Sequence, residues 1–122
     1  MTPRQSEITG LLHKEVKPAL GCTEPIAVAL AVAKAMEIIE EKAASLPACW
    51  RHEGAYSIRI EVSGNILKNG MGVGIPGTGM VGLHIAAALG AVCGKSSYGL
   101  EVLCELDEKS IAKAKRMVED NC

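Results

Sequence analysis

The apolar positions change their period along the chain, and the changes mark out its elements. From Ser6 to Lys17, the residues Ile8, Leu11, Leu12 and Val16 recur at helical spacing. Pro18 stops that helix, because it has no N–H to donate and biases Lys17 away from the α region. Ala19-Leu20-Gly21-Cys22 is then a short connector. Thr23 suits an N-cap, Glu24 the positive end of a helix dipole and Pro25 the first turn, so a second helix is expected over Ile26 to Ala44. Its Ala, Leu and Met content predicts burial, and Glu40-Glu41-Lys42 predicts a solvated C-terminal half.

Leu46 to Gly54, with Pro47 inside it, reads as a loop. Beyond it Tyr56, Ile58, Ile60 and Val62 alternate with Ser57, Arg59, Glu61 and Ser63, the pattern of a half-buried strand. Gly64 to Gly82 then holds seven of the 13 glycines and predicts a loop with positive φ or close backbone approach. Leu83 to Cys93 is a small-residue helix with Gly94 as its C′ residue. Leu100 to Leu106 fits a short strand or a turn of helix, and Asp107 can cap a last helix over Ile111, Ala114, Met117 and Val118. Lys113, Lys115 and Arg116 then point outward. These periods predict a single domain over residues 1–122 with a helix-dominated α+β fold, about four helices packed on a small β-sheet.

Composition narrows the function. Hydrophobic residues make up 48 % of the chain and aromatics only 2 %, with Trp50, Tyr56 and Tyr98 the full set, so the core is expected to be aliphatic. So few aromatic faces argue against base stacking, and 13 basic against 14 acidic residues form no basic stripe. Nucleic acid is therefore not an expected partner. The stretch from Pro25 to Ile39 is too short and too interrupted, by Lys34 and Glu37, to span a membrane. Met1 to Glu7 has no apolar signal core, so the expected location is the cytosol. The five cysteines, Cys22, Cys49, Cys93, Cys104 and Cys122, are odd in number and show no C-x-x-C pair, which argues against a disulfide framework or a self-contained zinc site.

Gly74-Ile75-Pro76-Gly77-Thr78-Gly79 has the glycine separation of a phosphate loop, but Met80 and Val81 stand where such a loop needs Lys and Ser or Thr. Nucleotide hydrolysis is therefore not expected. A glycine-rich turn leading into a helix still presents N–H groups to an anion, and a small carboxylate suits it. Ser63, Asn65, Lys68, Asn69 and Thr78 add polar groups around that turn, with Gly77 at its centre. The competing reading is that the glycines serve packing alone. Lys68 and Asn69 inside the stretch favour a ligand.

Cys22 lies one residue ahead of the expected cap, where the helix dipole should lower a thiol pKa. Such a thiolate can attack a substrate or bind a soft metal, and an inert buried thiol is the alternative. Glu24 and Glu15 are the nearby candidates for proton transfer, Glu15 being read as solvated. His13, His52 and His84 are scattered without metal-ligand spacing.

Two blocks carry a resemblance. Lys17-Pro18-Ala19-Leu20-Gly21-Cys22-Thr23-Glu24-Pro25-Ile26-Ala27 and the stretch from Ser63 to Gly79, continued by Leu83 to Gly90, resemble the N-terminal part of the L-cysteine desulfidases, also described as serine dehydratase-like α-subunit proteins. The resemblance runs from the first helix to about Val118. It implies a lyase without pyridoxal phosphate that converts L-cysteine to pyruvate, ammonia and sulfide. It also implies a [4Fe–4S] cluster on three cysteines, with one iron left open as a Lewis acid for the amino-acid substrate. On that resemblance Cys22 is a cluster ligand. Glu24 and Lys68 are the candidate catalytic groups, a role read from their residue types and positions. Ser63, Asn65, Asn69, Gly77 and Thr78 are the candidate carboxylate-binding residues, a role that rests on the anion-nest argument. Members of the family are several times longer and carry the remaining cluster cysteines in their C-terminal part. The expectation is therefore a chain that needs a C-terminal partner or a homo-oligomer. The alternatives are an L-serine dehydratase-type lyase, a truncated docking or oligomerisation module without catalysis, and an anion- or nucleotide-binding protein that uses the glycine stretch.

Overall fold

The computed structural model describes residues 1–19, 21–45 and 57–120. The sequence readings for Leu20, Leu46 to Gly54 (Cys49, Trp50 and His52 included), Tyr56 and Cys122 lie outside the described residues. Within them the chain forms five α-helices and one 3₁₀ segment.

Helix α1 spans Pro3–Glu15 and begins three residues before the Ser6 start that its apolar spacing suggests. Thr2 Oγ1 accepts from the Gln5 amide at 3.2 Å while the Gln5 side chain accepts from the Thr2 amide at 2.8 Å, a reciprocal cap that satisfies two end groups. No residue of α1 is buried. Ile8, Leu11 and Leu12 are exposed along it, and Val16 is exposed at its end.

Helix α2, Thr23–Ala44, carries the first half of the core. Ile26, Ala29 and Ala33 pack against Ile85, Ala86 and Leu89 of helix α4, Leu83–Cys93. Each fully buried Ile or Leu here contributes about 1.5–3 kcal/mol through removal of apolar area from water. The two helices approach backbone to backbone at Gly90, where an added Cβ would stand 2.9 Å from Ala29 Cα. Small residues on both faces make that approach possible. Gly94 closes α4 in an extended conformation (φ −67°), not the left-handed one expected of a C′ glycine. Its need for glycine is steric, since a Cβ would meet Ala33 Cβ at 2.8 Å.

A 3₁₀ segment, Ser96–Glu101, follows and is tied back to α2. Glu37 accepts from the Ser96 amide at 2.9 Å and from its hydroxyl at 2.6 Å. Val102 and Leu103 then enter the core. Helix α5, Glu108–Glu119, starts as its sequence predicts, with Asp107 Oδ1 accepting from the Ser110 amide at 2.7 Å. Ala114 is buried against the core, with Ile111, Met117 and Val118 packed beside it.

The expected α+β fold with a small sheet is not what the chain adopts. Among the described residues there is no sheet, and the fold is all-α. The segment 57–62 does alternate as a strand should, with Ile58, Ile60 and Val62 half-buried and Ser57, Arg59 and Glu61 exposed. Its apolar side lies on Val28, Val32, Leu83 and Ala87, so helices meet the need that a neighbouring strand was expected to meet. The one β-type pairing among the described residues is an isolated bridge between Gly74 and Val81. The glycine-rich stretch also differs from its reading as one loop, because its first part is helix α3, Gly64–Gly70, capped by Ser63. No helix among the described residues is long and apolar enough to cross a membrane.

Candidate functional site

The site grows from the start of α2. Cys22 is its N-cap, with extended backbone (φ −70°, ψ 141°), and Thr23 is the first helical residue rather than the cap. The Cys22 side chain does not cap the helix. Its thiol instead donates to Glu24 Oε2 at 3.0 Å, and the Thr23 hydroxyl donates to the same oxygen at 3.4 Å. Cys22 and Thr23 are exposed and Glu24 is half-buried.

This arrangement reverses the expected titration of Cys22. The hydrogen bond to Glu24 is the largest influence and raises the thiol pKa, because ionisation would break that bond and place a thiolate beside a carboxylate. The nearby backbone amides act in the lowering direction and are outweighed. Glu24 moves the other way: its carboxylate is held below the ordinary range, first by the Cys22 thiol and to a smaller extent by Thr23 and the Asn69 side chain. The resting pair is a protonated thiol and an ionised carboxylate.

The second block comes close to the first at two places. Pro76 stands against the connector before Cys22, so that a Cβ on Gly21 would lie 3.2 Å from Pro76 Cδ. Asn69, in the last turn of α3, lies near enough to Glu24 to help hold its carboxylate pKa down, weakly and after Cys22 and Thr23. Residues more than forty positions apart in sequence thus come together next to the Cys22 connector.

The remainder of the glycine stretch is a closed turn. Pro76 and Gly77 occupy its corner, with the Thr78 amide donating to Ile75 O at 3.2 Å. Gly77 has φ +82°, which suits the third position of a Pro-Gly type II turn and is strained for a residue with a side chain. The Ile75 amide donates to Met80 O at 3.0 Å and the Gly82 amide to Val73 O at 3.0 Å. Thr78 is buried, and its hydroxyl donates to Ile75 O at 2.8 Å and accepts from the Met80 amide at 3.0 Å. The amides of Ile75, Thr78, Met80 and Gly82 are thus engaged inside the turn, and Thr78 holds the turn rather than facing outward.

The other candidates divide. Ser63 caps α3 by accepting from the Ile66 amide at 3.3 Å. Asn65 and Lys68 are exposed on α3, and among the described residues no hydrogen bond or ion pair joins Lys68 to Cys22 or Glu24. Asn69 alone of the polar residues of α3 joins the Cys22–Glu24 pair. Sequence reading named Asn69 among the candidate ligand-binding residues but not its place beside Glu24, because the helix that aims it was read as loop. His84 is exposed in the first turn of α4.

A cluster held by three cysteines does not fit the described residues alone. Cys93 sits at the far end of α4, its thiol donating to Leu89 O at 3.3 Å, and Cys104 is exposed in the turns after the 3₁₀ segment. Among the described residues no group of three His, Cys, Asp or Glu could hold a metal ion. One exposed thiol, Cys22, is what this region offers to a soft metal.

No family model matches the chain, and no solved structure matches it. The chain is similar to UPF0597 proteins of several bacteria. It is 52 % identical over 118 residues to one from Parabacteroides distasonis, covering 97 % of this chain and 25 % of that protein. It is 49 % identical over 117 residues to one from Phocaeicola vulgatus, covering 96 % and 24 %. It is 49 % identical over 120 residues to one from Oleidesulfovibrio alaskensis, covering 98 % and 25 %. The chain therefore spans about a quarter of the length of the curated relatives it matches. Their names state no reaction.

Proposed function

We propose that this chain is the N-terminal part of a cytosolic, iron–sulfur-dependent lyase that breaks L-cysteine down to pyruvate, ammonia and sulfide. The observation that carries the reading is the approach of the two resemblance blocks beside Cys22, where Pro76 stands against Gly21. In this proposal Cys22 supplies one cluster ligand, and the other thiols come from chain beyond these residues or from a partner. The similarity to proteins about four times as long supports that division.

The roles of this chain's own groups follow from their chemistry. Metal binding at Cys22 must displace its proton, which Glu24 holds on sulfur while its own charge remains. Ligand uptake should therefore strengthen as pH rises. Asn69 steadies the Glu24 carboxylate, and the closed Pro76–Gly77 turn fixes the wall next to Gly21. Among the described residues, Lys68 and Asn65, exposed on α3, are placed to meet a substrate carboxylate.

The test is a chimera in which the matching 118 residues of the Parabacteroides distasonis relative are replaced by this chain. After anaerobic reconstitution with iron and sulfide, it should release sulfide and pyruvate from L-cysteine. Turnover of L-serine without turnover of L-cysteine would move the assignment to the dehydratase. A folded chimera inert to both would remove the lyase reading.

A further inference from the structure

The segment 57–63 is an extended, alternating stretch, and Ser63 at its end accepts from the Leu67 amide at 3.0 Å as it caps α3. Among the described residues, 57–62 make no backbone hydrogen bond and belong to no ladder. Its inward side chains Ile58, Ile60 and Val62 rest on Val28 and Val32 of α2 and on Leu83 and Ala87 of α4. Along α2 it borders an apolar groove of about 490 Å³, walled by Val28, Val32, Met36, Ile58, Ile60 and Val62. An edge with no partner among the described residues, lying beside an apolar groove, is a template for a further strand.

The charges on its outer side specify which strand. Arg59 and Glu61 are the two charged residues of the segment, 87 % and 78 % exposed and paired at 2.9 Å within one copy. Consider two copies of the segment running antiparallel. Keeping the apolar sides of both copies inward requires residue numbers of opposed residues to sum to an even value. Centring the pairing on Arg59 sets arginine opposite arginine, and centring it on Glu61 sets glutamate opposite glutamate. Centring it on Ile60 sets Arg59 of each copy opposite Glu61 of the other, Ile58 opposite Val62 and Ser57 opposite Ser63. That register is two-fold symmetric and satisfies both the charge pattern and the alternation.

We propose that segment 57–63 pairs antiparallel with the same segment of a second copy of this chain, about a two-fold axis at Ile60. The resulting two-stranded ribbon is supported from below by α2 and α4 of each copy. That support answers the marginal stability of an isolated pair of strands. The intrachain Arg59–Glu61 pair exchanges for two pairs between copies.

The experiment is sedimentation of the 122-residue chain over a range of concentrations, under reducing conditions, with Arg59→Glu, Glu61→Arg and an equimolar mixture of the two. Both side chains are exposed, so neither substitution disturbs packing, and circular dichroism checks this. The chain should form a concentration-dependent dimer. Each single variant faces like charges twice across the axis and should associate about tenfold more weakly or worse. The mixture should recover dimerisation, because an all-acidic strand then meets an all-basic one. A monomer at every concentration would overturn the proposal. So would single variants that dimerise like the parent, or a mixture that stays monomeric.

Discussion

The Cys22 thiol donates to Glu24 Oε2 at 3.0 Å, and that one contact orders the ionisation of both groups. The thiol holds its proton to higher pH than an ordinary cysteine, and the carboxylate stays charged to lower pH than an ordinary glutamate. Alkylation of Cys22 by iodoacetamide, followed on its peptide by mass spectrometry, should therefore show a midpoint above that of a free thiol. Glu24→Ala should lower the midpoint and speed alkylation at neutral pH. An unchanged profile in the variant would show that Glu24 does not govern the thiol.

Glu37 gives a prediction about acid stability. Its carboxylate is held below the ordinary range, first by the Ser96 hydroxyl and amide, and it joins α2 to the 3₁₀ segment. A depressed folded-state pKa means stability that is present above the unfolded pKa and lost as pH falls through the folded value. Glu37→Gln should therefore melt below the parent at neutral pH. The difference should shrink as pH drops below the ordinary carboxylate range. A constant difference across that window would assign the loss to packing.

Gly90 tests the closeness of α2 and α4. A methyl group there must push against the Ala29 backbone, and backbone cannot step aside as a flexible side chain can. Gly90→Ala should destabilise the chain by about 1–3 kcal/mol despite the better helix propensity of alanine. Chemical denaturation measures it. A stabilised variant would mean that the helices lie further apart.

Gly77 separates backbone strain from crowding. Its φ is +82° and a Cβ would meet nothing within 4 Å, so the penalty comes from conformation alone. Gly77→Val should lose about 1–2 kcal/mol or more, and Gly77→Asn clearly less, because asparagine tolerates the left-handed region. Equal melting of the two variants would argue against the turn at Pro76.

Much of the helical frame was legible in the sequence. The Leu83–Cys93 helix, the Asp107 cap and the run to Ala44 follow from spacing, caps and breakers, which are local signals. The sheet was a misreading of a real pattern. Ile58, Ile60 and Val62 do alternate and do face inward, but alternation reports one apolar side and cannot say whether strands or helices cover it. Helix α3 was hidden because its glycines and asparagines are poor helix formers, and Ser63 as a cap is a weak signal by itself. The position of Cys22 near a helix start was legible, whereas its raised pKa was not. A two-residue offset does not reveal that a side chain will bend back onto sulfur instead of solvating the helix end.

The central claim is that Cys22 is a cluster ligand in a larger lyase. Iron content and visible absorption of the anaerobically reconstituted chimera, with Cys22 and with Cys22→Ala, test it most directly. The account predicts a stable brown protein with sulfide release from L-cysteine when Cys22 is present, and loss of both in a variant that still folds. Equal iron and equal turnover in the two proteins would contradict it.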